Sequence, residues 1–176
     1  LNQVNILIKE GKHGDAADLI RQAIHGDIAN LELAERYYQL LKLVQRNQEM
    51  LAHAHVVLDL LVKANRVDKA RSVYLECTVV DPLFNPRAPV LFKIASSLSE
   101  AGNHRAALEA YNRFIRHSPE DPLAAKAYFL AATVFHEKML DPERAAKALK
   151  RLIKKFPGHE VIPYAEKYLR RIEQNG

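Results

Sequence analysis

Apolar residues recur along this chain at helical intervals, and one arrangement of them returns with a fixed period. Lys69 to Pro82 reads KARSVYLECTVVDP, Ala106 to Pro119 reads AALEAYNRFIRHSP, and Arg144 to Pro157 reads RAAKALKRLIKKFP. In each, a small residue is followed four and seven places later by larger apolar ones: Ala70–Tyr74–Cys77, Ala107–Tyr111–Phe114 and Ala145–Leu149–Leu152. Proline then closes the phrase at Pro82, Pro119 and Pro157. The alanines lie 37 and 38 residues apart, and an earlier copy, Ala34–Tyr38–Leu41, stands 36 before Ala70 without the proline.

The spacing has a physical reason. Residues at i, i+4 and i+7 share one stripe of a helix. A small residue there lets a neighbouring helix approach, the larger ones fill the space beyond, and proline stops the helix. Between the phrases lie further helical segments, 51–64, 89–101 and 123–139, with short breaks at 65–67, 102–103 and 140–142. Asp141 before Pro142 predicts an N-cap with proline in the first turn. A period in this range predicts stacked helical hairpins, about ten helices and no strand. Clear repeats are expected at about 51–82, 88–119 and 123–157. Within 1–50 the helices are less regular, and the segment around Ala16, Ala17 and Ile20 reads as either half of a hairpin. From 160 to 174, Val161, Ala165, Tyr168, Leu169 and Ile172 form one apolar stripe opposite charged residues, as a helix capping a stack requires.

The repeat resembles the tetratricopeptide repeat, on Ala107–Tyr111–Pro119 and Ala145–Leu149–Pro157 for the second helix and on Leu91, Ile94, Ala95 and Leu98, then Phe129, Ala132, Thr133 and His136, for the first. The family's Trp and Gly are absent, so the copies are degenerate. The resemblance implies one all-α domain over 1–176, an α-solenoid of antiparallel helical hairpins forming a superhelix with a C-terminal capping helix. It also implies a concave groove lined by first helices, whose candidate partner-binding residues are His55, Asp59, Phe92, Lys93, Ser96, Leu130 and Val134. Phe92 reads either as the anchor of a bound partner or as a core residue packed against the next hairpin. Of the positions where relatives clamp a chaperone's C-terminal carboxylate, only Lys93 suits that chemistry, so chaperone-tail binding is not expected.

Composition narrows the class. With 48% hydrophobic and 27% charged residues among 176, the chain is an ordinary folding sequence, and no apolar run approaches the roughly 20 residues needed to cross a bilayer. A single cysteine excludes an internal disulfide. This fits the cytoplasm or the cytoplasmic face of a membrane and leaves the periplasm open. Because the chain begins at Leu1, it is expected to be a piece of a longer protein, with room for a membrane anchor upstream. The net charge of +5 is carried by residues 138–176.

Enzyme signatures are poor. His136-Glu137 starts like the zinc-protease HExxH motif, but Leu140 stands where the second histidine belongs. His53 and His55, two apart on a helix, point to different sides. Cys77 lies on the apolar stripe and reads as a core residue. No metal, cofactor or catalytic residue is expected. Lys147, Lys150, Arg151, Lys154 and Lys155 form a basic stripe on one helix, which reads either as a solvated face or as an anion-binding one. The expected function is a non-catalytic scaffold that binds another protein, or a segment of its own full-length chain, with homo-oligomers left open. Nucleic-acid or anionic-surface binding through the basic helix is the alternative, disfavoured because no aromatic residues interleave the charges.

Overall fold

The computed structural model describes residues 2–26 and 29–175. Among these the chain forms ten α-helices and no strand. They are α1 (Asn2–Lys9), α2 (His13–Gly26), α3 (Leu31–Leu43), α4 (Asn47–Lys63), α5 (Val67–Val80), α6 (Ala88–Glu100), α7 (His104–His117), α8 (Ala124–Thr133), α9 (Pro142–Lys155) and α10 (Ile162–Asn175). A π-helical turn, Val134–Lys138, extends α8. Residues 1–86 and 87–176 form two compact units. In each, every helix packs on the next, α1 through α5 in the first and α6 through α10 in the second. This is the all-α stacking of hairpins that an α-solenoid requires.

The alanine phrase decides how the helices pack. Ala34, Ala70, Ala107 and Ala145 stand one turn into α3, α5, α7 and α9, and all four are buried. So are the large residues four and seven places on: Tyr38 and Leu41, Tyr74 and Cys77, Tyr111 and Phe114, Leu149 and Leu152. α10 closes the last hairpin as expected. Its Ala165, Tyr168 and Ile172 share one core with Ala125, Ala132, Ala145, Leu149 and Leu152. Asp141 caps α9, its side chain accepting from the Arg144 amide with Pro142 in the first turn.

The turns obey a second rule. Gly11, Asn65, Gly102 and Leu140 adopt positive φ, and each precedes by five residues a buried alanine, Ala16, Ala70, Ala107 or Ala145. This assigns the early helices: α2 is the second helix of a hairpin with α1. Gln45 makes the same turn before Met50, so α3, α4 and α5 follow one another through tight turns without a longer loop. After the positive-φ residue, the next amide reaches back five residues to a helix carbonyl, as Asn103 to Leu98 (2.8 Å) and Arg66 to Leu61 (2.8 Å).

Cross-helix polar contacts complete the first unit. The Tyr38 hydroxyl donates to Glu76 (3.0 Å), which also pairs with Lys42 (3.0 Å), while Arg66 and Lys69 both reach Glu35 at 3.1 Å. Such exposed pairs contribute at most about 1 kcal/mol each. Arg46 grips Glu49 with both arms of its fork (2.7 Å each) and Asp18 with a third N–H (2.8 Å), joining α2 to the start of α4.

Two outcomes are expected. Ala107→Leu overpacks the α6–α7 crossing and lowers unfolding free energy by about 1–3 kcal/mol in urea titration. Leu140, 82% exposed at φ 53°, is strained, so Leu140→Gly raises stability by on the order of 1 kcal/mol in the same measurement.

Candidate partner-binding groove

In the second unit, the side of α8 that faces α10 carries Phe129 and Thr133, with Glu137 one further turn on in the π-helical segment. Opposite them α10 presents Tyr164, Lys167, Tyr168, Arg170, Arg171 and Gln174. Together they line an open groove of about 560 Å³. Its floor is aromatic: the Phe129 and Tyr168 rings lie 6.0 Å apart and the Arg171 guanidinium sits 5.1 Å over Tyr168. Tyr164, 69% exposed, stands on its wall.

A hydrogen-bonded chain fixes the floor. The Tyr168 hydroxyl donates to Glu137 Oε1 (3.2 Å) and meets His136 Nδ1 at 2.9 Å. The phenol has one proton, so when Glu137 receives it, Nδ1 must be the donor to the phenol oxygen. Burial, followed by the Glu137 charge, pushes the Tyr168 hydroxyl up to about 12, so it stays protonated and able to donate. Two consecutive residues reach one phenol because the turn they occupy is π-helical. The Met139 amide bonds to Val134 and the Asp141 amide to Phe135, six residues back where the other turns reach five. A π turn holds more residues per turn, so successive side chains fan out less. The His136-Glu137 pair that fails as a metal motif is thus a structural clasp on α10, and nothing in the sequence marks the extra residue.

The residues expected to bind a partner lie in both units. In the first unit His55 is exposed and stacks on Phe84 (4.8 Å), and Asp59 is half-buried. In the second, Phe92 is 8% exposed, its ring edge-on to Tyr111 (6.0 Å) and Phe114 (5.5 Å) of α7, with Lys126 above it. Ser96 is half-buried and hydrogen-bonds the Tyr111 hydroxyl at 3.0 Å. Val134 is buried, Leu130 half-buried and Lys93 exposed. None of these lines the α8–α10 groove. Lys147, Lys150, Arg151, Lys154 and Lys155 are all exposed on α9, with Lys150 paired to Glu173 at 2.8 Å.

In the first unit a smaller hollow of about 300 Å³ lies among Arg21, Ile24, Tyr37, Glu49, Ala52, His53 and Val56. His53 turns inward, its ring N–H donating to the Ala34 carbonyl (3.0 Å) and its face meeting the Tyr37 ring at 4.8 Å. It therefore points away from His55. Cys77 is fully buried beside the Tyr38 hydroxyl (3.7 Å), and burial pushes its thiol up to about 11.

Burial lowers the His53 pKa below its ordinary 6.5, with the Ala34 hydrogen bond opposing part of the shift. The folded state disfavours imidazolium, so the unfolded state binds the proton more readily. Stability is therefore full above about pH 6.5 and is lost as pH falls through and below it. Urea titrations across about pH 7 to 5 are expected to show this decline, and a shallower one in His53→Phe, which keeps a ring against Tyr37.

Residues 92–160 match the family model for the tetratricopeptide repeat. No curated protein matches the chain. Solved structures that resemble it include YrrB, described as a tetratricopeptide-repeat protein with an unusual peptide-binding site, at 16% identity over 95% of this chain and 90% of that one, with a TM-score of 0.46. A tetratricopeptide-containing protein from Cytophaga hutchinsonii shares 12% identity over 99% and 71%, at a TM-score of 0.48. A putative protein binding protein from Bacteroides ovatus shares 20% over 99% and 96%, at 0.45. Likeness at this distance carries no argument about function. The matched segment runs from Phe92 in α6 through α7, α8 and α9, where the alanine phrase is best kept, and over these residues the chain is similar to the tetratricopeptide repeat.

Proposed function

We propose that this chain is a non-catalytic scaffold that receives a peptide or helix of another protein in the groove between α8 and α10. A fold does not fix a function, so the reading rests on the groove itself. Its supporting observation is Tyr164: a large aromatic side chain left 69% exposed on the wall of an open cleft, above an aromatic floor. Tyrosine offers much contact area for little rotamer entropy, as interface anchors do. Lys167, Arg170 and Arg171 against Glu137 give the cleft a positive balance, which favours a ligand with carboxylates among its apolar residues.

The burial of Phe92 moves the proposed anchor from that residue to Tyr164, while exposed Lys93 and His55 stay available for contact. Nucleic-acid or anionic-surface binding has less support. The basic stripe of α9 is exposed, but the rings beside it, Tyr128, Phe135 and Phe156, are half-buried and offer no open stacking platform. Among the described residues no helix is long and apolar enough to cross a membrane.

Peptides selected from a displayed random library against the protein supply the test. Tyr164→Ala and Arg171→Glu are each expected to weaken the selected peptides by about tenfold or more in calorimetry, with helicity unchanged. Peptides that bind both variants as tightly as the parent overturn the groove assignment. Loss of affinity only with the α9 lysines replaced, coupled to a steep fall with salt for oligonucleotides, establishes the alternative.

A further inference from the structure

The basic face of α9 has a second use in its geometry. Lys147, Lys150, Arg151 and Lys154 line a separate cleft of about 700 Å³ on the α9–α10 side, whose floor includes Ala146 and Ile172. We infer that this cleft is a docking site for an acidic amphipathic helix of a partner protein, independent of the α8–α10 groove.

Three features select that occupant. The cations follow the helical intervals i, i+3, i+4 and i+7, so the cleft repeats positive charge every turn, about 5.4 Å, which is the interval at which a helix laid alongside repeats its carboxylates. The floor is apolar, and the aliphatic stems of the lysines extend it, so an apolar stripe on the incoming helix is covered as its carboxylates reach the ammonium groups. The chain also supplies a template. Ile172 of α10 packs at the cleft floor, and the next residue, Glu173, places its carboxylate 2.8 Å from Lys150. α10 thus sets one apolar residue and one carboxylate on part of this surface from one side; Lys147, Arg151 and Lys154 extend the same charge along α9.

Other anionic partners fit less well. A bilayer needs exposed apolar groups among the cations, but exposed Met139 and Leu140 precede α9, and Ile172 is recessed at 5% exposure. Single-stranded nucleic acid binds by stacking its bases on exposed rings, and none lines this cleft.

The test uses a synthetic helical peptide with Leu at heptad positions a and d and Glu at e and g. Its controls are the same composition scrambled, phosphatidylserine vesicles and oligothymidine. The ordered peptide is expected to bind more tightly than the scrambled one. The variant Lys147→Glu/Arg151→Glu/Lys154→Glu, whose changed residues are all exposed, is expected to weaken it by about tenfold or more while circular dichroism stays unchanged. Tyr164→Ala is expected to leave it unaltered, which separates this site from the α8–α10 groove. Equal binding of the scrambled peptide, insensitivity to the triple variant, or loss with Tyr164→Ala each overturns the assignment. So does a triple variant that loses vesicle or oligothymidine binding while keeping the peptide.

Discussion

Close approach of helices at a buried alanine is the constraint on which the rest depends. A methyl group at Ala34, Ala70, Ala107 and Ala145 lets a neighbouring helix come near enough for the side chains four and seven residues on to fill the remaining space. Each hairpin has an apolar face it cannot bury by itself, so each is written to fit the next. At Ala70, Ala107 and Ala145 the tight positive-φ turn five residues earlier sets the phase of that fit. Where the turn residue is Gly or Asn the backbone conformation is cheap. Where it is Leu140, the strain lies next to the π turn that builds the groove floor.

That adjacency links packing to the proposed site. The additional residue in α8 turns His136 and Glu137 toward one phenol, and the phenol holds α10 at the groove's edge. Tyr168 therefore belongs to both the core and the groove. It is 9% exposed, and it carries the Arg171 guanidinium over its ring. The groove is then presented by α8, its π turn and α10, with Phe129 and Tyr168 packed on the core beneath.

Most of the architecture was legible in the sequence because burial repeats with the helix period. Ala107, Tyr111 and Phe114 are spaced as one stripe, and they are buried as one. The terminal helix, the Asp141 cap and the core reading of Cys77 follow from the same kind of local rule. The groove was less legible. Phe92 and Ser96 are on a first helix, but which way a ring turns depends on its partners, and Tyr111 and Phe114 draw Phe92 inward. Tyr164 lies on the helix read as a cap, where charge and a single apolar stripe concealed an exposed aromatic. The π turn carries no sequence mark: Leu140 rules out the metal motif that His136-Glu137 begins, but nothing there points to Tyr168 between the two side chains.

Cys77 carries one further consequence. Its sulfur is fully enclosed between α3 and α5, and at neutral pH it is held as the thiol. Reagents that attack a thiolate can reach it only when those helices part. Its labelling rate, with no other cysteine to compete, then reports the open population, or the opening rate itself where labelling outpaces reclosing. The protein contains its own reporter for the breathing of its first unit, in a side chain enclosed by the core.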